Sequence, residues 1–462
     1  MGYDLGVDLG TTFVAAAIAR DGRVEMCTLG NRAAVTPAVV YLTHDSKMIF
    51  GEAAEQRALS DPGRVERWFK RRLGDPTPVL LGGMPHQVTG LMAEQLRDVL
   101  DTVTRAEGGP PDRVALTHPA GWGPYRRELF EEIPRLAGLR DHVVLTEPEA
   151  AAAYYGASRS IGDGDTVAVY DLGGGTFDAT VLRIRNGEVE VMGEPQGIER
   201  LGGTDFDEAI LQWINHRHDG ALAELDPFDP ESVAAMTMLR QECVRAKEAL
   251  SADTETGIPV VLFNQQFYAQ LTRRDLESMI RAPIESTIGA LVRAVYAAQV
   301  EVGELSAVLL VGGSSRIPLI GRMITEELGR PILTDANPKH AVALGAAAVA
   351  AAGVRPAMAG ARVLVGGGSS EEAAAPPHVP SPRGVSRPAP PGWISEEKPS
   401  PSRARRRRTT AAVLAVLALL TLIGVLAFLL IGSAPQQPSP SLSPELRSPP
   451  AQGGSASPAR RS

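Results

Sequence analysis

VYDLGGGTFDA, residues 169–179, sets two acids, Asp171 and Asp178, around three consecutive glycines and a threonine. A buried strand that ran straight on would avoid glycine, which loses the most backbone entropy on ordering and offers the sheet no side chain to pack. The run therefore marks a strand end at which something approaches the backbone closely. A polyphosphate fits that need: glycines let amide N–H groups face it, and a hydroxyl such as Thr176 donates a further bond. Carboxylates beside phosphate make sense only with a cation between them, and magnesium is commonly held by one or two carboxylates, waters and phosphate oxygens.

The same plan occurs earlier in the chain. YDLGVDLGTTFVAAAIARDGRVEMCTL (3–29) and TVAVYDLGGGTFDATVLRIRNGEVEVMG (166–193) both read as strand, glycine-threonine turn, strand, hairpin and strand, with Asp21-Gly22 and Asn186-Gly187 as the hairpins. Asp8 of the first copy pairs with Asp171 of the second, and Thr11, like Thr176, offers a hydroxyl in the turn. A third glycine turn lies in VLLVGGSSRIPLIGRMITEEL (308–328), between an apolar strand and an amphipathic helix. Helices are predicted over 125–137, 147–156, 234–250 and 272–299, the last interrupted at Pro283. Alternating strands and helices point to an α/β architecture in two lobes.

Composition excludes other classes. Residues 1–353 carry 33 Lys and Arg against 49 Asp and Glu, so a nucleic-acid partner is not expected. Cys27 and Cys243 form no ligand-like spacing and suit a reducing cytoplasm. No GxxxxGK[ST], HExxH or GxSxG motif occurs, which removes the P-loop, zinc-peptidase and serine-hydrolase readings.

Beyond Gly353 the composition changes, with 13 Lys and Arg against 5 Asp and Glu. Residues 354–408, rich in Pro, Ala, Gly and Ser, read as a disordered linker. Residues 409–432, TTAAVLAVLALLTLIGVLAFLLIG, hold 24 uncharged positions, 14 of them Leu, Ile, Val or Phe. As a helix this run would be about 36 Å long, enough to cross a hydrocarbon core of about 30 Å. RARRRR (403–408) abuts its N-terminal end, so the positive-inside rule keeps the large N-terminal part cytoplasmic. Residues 433–462 read as a disordered extracytoplasmic tail.

Taken together, LGVDLGTTF, FKRRLG, VLTEPEAAAAYYG, YDLGGGTFDATVL, LGGTDFDEAIL, CVRAKEALS, LLVGGSSRIP and NPKHAVALGAAAVAA resemble the successive motifs of the nucleotide-binding domain of heat-shock protein 70 (DnaK-type) chaperones, in family order across residues 1–353. The resemblance implies an actin-like ATPase fold, two lobes of duplicated ribonuclease-H-like βββαβα units, with ATP or ADP and Mg2+ as ligands. It implies Asp8 and Asp171 around a hydrated magnesium, and Gly10, Thr11, Thr12 and Gly173, Gly174, Gly175 and Thr176 as phosphate loops. It further implies Lys70 orienting attack on the γ-phosphate, with Glu147 and Asp178 as the remaining acids near metal and water. Gly202, Gly203, Lys247, Ser251, Gly312, Gly313, Ser314 and Arg316 complete the implied nucleotide contacts, and Pro119 and Arg127 resemble the family's proline switch and arginine relay.

Read from the residues alone, Lys70 shares FKRRLG with two other basics, any of which could be a solvated face, and Glu147 could simply cap its helix. The chain also departs from the family pattern. Val244 stands where the family has glutamate, Glu248 where many members place arginine against the adenine, and Lys339 where aspartate is usual after NP. The stretch from Lys70 to Glu147 is short for the family, which implies a trimmed upper subdomain. The family's peptide-binding sandwich and helical lid are not recognisable after Gly353.

The sequence thus reads as a membrane-anchored, cytoplasm-facing ATPase with an unidentified protein partner. The alternatives are a degenerate nucleotide-sensing scaffold without useful turnover and, further off, an actin-like filament protein or a sugar kinase.

Overall fold

Asp4–Leu9 (β1), which buries Leu5, Val7 and Leu9 completely, is the central strand of the first sheet. It pairs antiparallel with Phe13–Arg20 (β2), which pairs with Arg23–Met26 (β3). On its other edge it runs parallel to Arg113–His118 (β4), which runs parallel to His142–Thr146 (β5). Val35–Pro37 adds a short sixth strand against β2. The computed structural model describes residues 2–30, 33–157, 160–186, 188–223, 225–226, 229–263, 265–335 and 337–353. The linker, transmembrane helix and tail expected over 354–408, 409–432 and 433–462 lie outside them. Among the described residues no helix is long and apolar enough to cross a membrane.

The second sheet repeats the first. Thr166–Leu172 (β6), buried at every position, pairs antiparallel with Phe177–Arg185 (β7), and β7 with Glu188–Ile198 (β8). On its other side β6 runs parallel to Ala307–Val311 (β9), which runs parallel to Ile332–Thr334 (β10). The strand orders are β3-β2-β1-β4-β5 and β8-β7-β6-β9-β10, so the duplication read from the two DLG stretches extends to a whole sheet in each lobe. At the first hairpin Asp21 and Gly22 both take positive φ, 52° and 73°, as a type I′ turn requires.

Two small-residue helices join the lobes. Glu147–Ala157 follows the first sheet yet buries Ala151 and Tyr155 with Val167, Val169 and Leu309 of the second. Ala341–Ala352 follows the second sheet, and its Ala343 and Ala347 pack on Ala15, Ala17 and Ala19 of the first. The helices also pack on each other. A Cβ at Gly345 would strike the Ala150 carbonyl, and one at Gly6 would strike the helix backbone at Ala343 and Ala347, so these two glycines set the closeness of the crossing.

Each lobe carries an upper part. In the first it contains a three-stranded sheet (Val39–Leu42, Met48–Phe50, Val65–Arg67) and the helices Val88–Glu107 and Pro124–Leu136. In the second it contains the helix Pro230–Ala249 and the hairpin Glu255–Val261 with Gln266–Thr272. The interruption expected at Pro283 does not occur: Arg273–Ala297 is one helix with the proline inside it. Its buried stripe, from Leu276 through Ile280, Ile284, Ile288 and Leu291 to Val295, anchors both sides of the proline, so packing outweighs the lost backbone bond.

Candidate functional site

β1 and β6 end on one cleft, lined by Asp8 from β1, Asp171 from β6, and by Lys70 and Glu147. From the turns after these strands, Gly10, Thr11, Thr12, Gly173, Gly174 and Thr176 lie on the same walls, joined by Gly203, Gly312, Gly313 and Ser314. Carboxylates predicted from two separate repeats therefore face a single cavity.

The second-lobe loops are pinned to one another. Gly203 N–H donates to Gly173 O (3.0 Å), Thr204 N–H to Gly174 O (2.8 Å), and Ser314 Oγ to Gly173 O (2.9 Å). The glycines serve this close approach as well as access to the cavity. A Cβ on Gly174 would collide with the Thr12 hydroxyl, one on Gly202 with the Gly174–Gly175 peptide, and one on Gly312 with the Leu172 carbonyl. Thr12 Oγ1 and Thr204 Oγ1 are buried without a hydrogen-bond partner, a costly state unless a ligand supplies one.

Lys70 is 5% exposed, and its Nζ donates to Glu147 Oε1 at 2.8 Å. It is presented by the short helical turn Phe69–Arg72, whose preceding residue, Trp68, takes a left-handed conformation (φ 57°, ψ 22°) that is strained for a bulky side chain. The three basics of FKRRLG separate cleanly. Lys70 enters the cleft; Arg71 reaches across it, Nε to Gly175 O at 2.9 Å and Nη2 to Asp205 at 2.7 Å; Arg72 folds back on Thr77 O. Capping of the helix at 147 falls to Glu149, whose carboxylate accepts from the Thr146 N–H and hydroxyl, leaving Glu147 for the lysine.

The electrostatics are those of a site short of positive charge. Asp8 is pushed up to about 7, by desolvation first and then by Glu147, against the pull of Lys70 and a Thr117 hydrogen bond. Asp171 is raised well above the carboxylate range by desolvation, then by Glu147, Asp178 and Asp8. Asp178 reaches about 8, for desolvation and Glu147 outweigh the hydrogen bond from Gly121 N–H (2.9 Å). Burial alone would lower Lys70, but Glu147 and Asp8 more than reverse it. His118, stacked on Trp122 behind the lysine, is held below its ordinary value by burial. Among the described residues no three acids or histidines converge as direct metal ligands. The donor set thus fits a cation held through water and phosphate oxygens rather than a carboxylate cage.

Other implied residues are placed less directly. Asp178 is buried opposite Asp171 on the neighbouring strand and is not on the cleft wall. Lys247 lines the cleft, but its ammonium is bound by Gly203 O and Asp207, each at 2.8 Å; Ser251 lines it too. Gly175 and Gly202 lie in the loop contacts just described, and Arg316 is exposed, away from the lining. Arg127 is exposed beyond Pro119, while its neighbour Arg126 pairs with Glu199 of the other lobe at 2.6 Å. Sequence reading missed Trp68, Arg71, Thr117 and Asp205. Only Arg71 carried a signal, its adjacency to Lys70.

The fold and cleft define an α/β protein of two duplicated lobes around a phosphate-suited site. Residues 4–78 and 83–361 match the family model described as Hsp70 protein. The chain is 32% identical over 361 residues to the chaperone protein DnaK of Thermotoga petrophila, a match covering 76% of this chain and 59% of that one. It is 32% identical over 368 residues to the chaperone protein HscA homolog of Tolumonas auensis, covering 75% and 57%. The chain belongs to the Hsp70 family, and the matched part is that family's nucleotide-binding domain. It spans rather under two thirds of the length of these relatives.

Proposed function

We propose that the protein is a magnesium-dependent ATPase of chaperone type, anchored in a membrane with residues 1–353 on the cytoplasmic side. The single observation that carries the catalytic reading is the shared cavity of Asp8, Asp171 and the Lys70–Glu147 pair, edged by two hydroxyl-bearing glycine turns. Asp8 and Asp171 would hold a hydrated magnesium, which when bound supplies charge neutralisation for the phosphates. Thr11, Thr12 and Gly173 to Thr176 bind and orient the phosphate oxygens, and the buried Thr12 hydroxyl gains the partner it lacks.

Lys70, locked by Glu147, stabilises charge that grows on the γ-phosphoryl oxygens as water attacks; such catalysis is largely positioning and electrostatics. The proton lost by that water goes to an Asp171 carboxylate oxygen. Burial first, and then Glu147, Asp178 and Asp8, raise the proton affinity of that carboxyl above the ordinary carboxylate range. Phosphate release from ATP by the full-length chain tests this: Lys70→Ala and Asp171→Asn should each abolish it, and release that survives both variants unchanged would refute it.

Anchoring rests on the 24-residue uncharged run at 409–432 and the arginines before it. Deleting 409–432 should move the protein from the membrane to the soluble fraction, and an unchanged distribution would refute the anchor. A second reading, a nucleotide-binding scaffold without useful turnover, is favoured by Val244, Glu248 and Lys339 on the cleft wall. Tight binding of ATP with no phosphate release from the wild type would select it.

A further inference from the structure

Two of the departures from the family pattern, 91 residues apart in sequence, meet in space. Lys339 Nζ lies 3.1 Å from Glu248 Oε1. The same ammonium sits 4.0 Å from the centroid of the Phe13 ring. The alkyl stem of Lys339 lies over Gly313, where even a Cβ would come within 2.8 Å of its Cε. All four residues line the cleft.

They come from different parts of the fold. Phe13 opens β2 of the first lobe, immediately after the Gly10–Thr12 turn. Glu248 is in the last turn of Pro230–Ala249, the upper helix of the second lobe. Lys339 lies between β10 and Ala341–Ala352, the helix that crosses back to the first sheet. One side chain therefore bridges both walls of the cleft and covers the glycine turn between them. Where the resemblance implies arginine and aspartate, the chain has glutamate and lysine, so opposite charges are kept with their signs exchanged.

We propose that Lys339 is a clasp over the cleft mouth, closed by its ion pair with Glu248 and its cation–π contact with Phe13, and that its opening limits nucleotide entry and release. The inference rests on the nucleotide-binding reading of this cleft and adds to it the group that governs exchange. The clasp suits a rate-setting role better than a stabilising one. Lys339 and Glu248 are 27% and 55% exposed, so water and salt weaken the pair, and it can open without disturbing the core. Removing the Lys339 charge disengages both contacts at once; removing Glu248 leaves the Phe13 contact.

The test is the release and uptake of a fluorescent ADP analogue by the full-length chain, followed by stopped flow. Lys339→Met should speed both about three- to tenfold, the size expected for one exposed ion pair plus one cation–π contact. Glu248→Gln should give a smaller increase. The double variant should be no faster than Lys339→Met, and exchanging the two residues, Glu248→Lys with Lys339→Glu, should slow release again relative to either single variant. Wild-type release should quicken with added salt and lose most of that dependence in Lys339→Met. Unchanged rates in Lys339→Met, or fully additive single effects, would overturn the clasp alone. A wild type that binds no nucleotide would overturn the clasp and the nucleotide-binding reading together.

Discussion

The two sheets are the same object built twice, and they differ where they face the cleft. Asp8 pairs with Ala15 across the first turn, and Asp171 with Asp178 across the second. On the parallel side Asp8 lies beside Thr117 and Asp171 beside Val311. The first turn carries Thr11, Thr12 and Phe13 where the second carries Gly174, Gly175 and Thr176. Duplication kept strand order and direction, which the buried apolar runs enforce, and freed the strand ends to diverge. The first turn carries two adjacent threonines beside an acid that accepts a hydrogen bond from the Thr117 hydroxyl. The second lobe became the glycine wall with paired acids able to take a proton.

The largest expected effects break that division at the lysine between the walls. Lys70→Ala leaves the buried Glu147 uncompensated, so stability should fall by about 3–5 kcal/mol in denaturant titration while phosphate release is lost. Lys70→Met with Glu147→Gln should recover much of the stability and none of the turnover.

Next in size is the asymmetry of the cross-strand position. Asp178→Asn should lower turnover by about 10²-fold or more and leave ATP affinity near that of the wild type. Ala15→Asp should not restore it. Ala15 packs against Ala343 and Ala347, so an acid there is buried among methyl groups and should simply destabilise the fold. Equal rescue from either lobe would dissolve the distinction drawn between them.

A smaller effect concerns the crossing that holds the lobes together. Gly345→Ala forces a Cβ into the Ala150 carbonyl and should cost about 1–3 kcal/mol by overpacking. Gly22→Ala, at a turn where nothing lies within 4 Å but φ is 73°, should cost less.

The gentlest test is pH. Asp8 and Asp178 have folded pKa values of about 7 and about 8, above the ordinary 3.8, so folding favours their protonated forms. Their contribution to stability is greatest below pH 4 and is lost as pH rises through 7 to 8. The nucleotide-free protein should therefore melt lower at pH 8.5 than at pH 5.5. Asp178→Asn should flatten that slope, and a slope unchanged in the variant would contradict the assignment.

Much of this was legible because it is local. DLG turns, Asp21-Gly22 and the apolar runs of β6 and β9 each report on their own few residues. What was not legible depends on distant partners. Pro283 looked like a break because sequence shows the lost hydrogen bond but not the core that grips both sides of it. Glu147 and Glu149 are two positions apart, and only the fold decides that one meets Lys70 and the other caps the helix. Glu248 and Lys339 each read as a loss when seen singly, and become a pair when β10 and its following loop return to the cleft. The glycines were read as openings for phosphate; several also admit neighbouring loops, which no single stretch discloses.

The claim at the centre is that Asp8 and Asp171, one from each copy, act on a single hydrated cation bound to a nucleotide. Calorimetric titration of ATP into the wild type, Asp8→Asn, Asp171→Asn and the double variant, each with magnesium and with chelator, addresses it most directly. The expected result is that magnesium strengthens binding in the wild type, that either substitution removes most of that gain, and that the double variant is little worse than the singles. Losses that simply add, or binding equally tight in chelator, would contradict it.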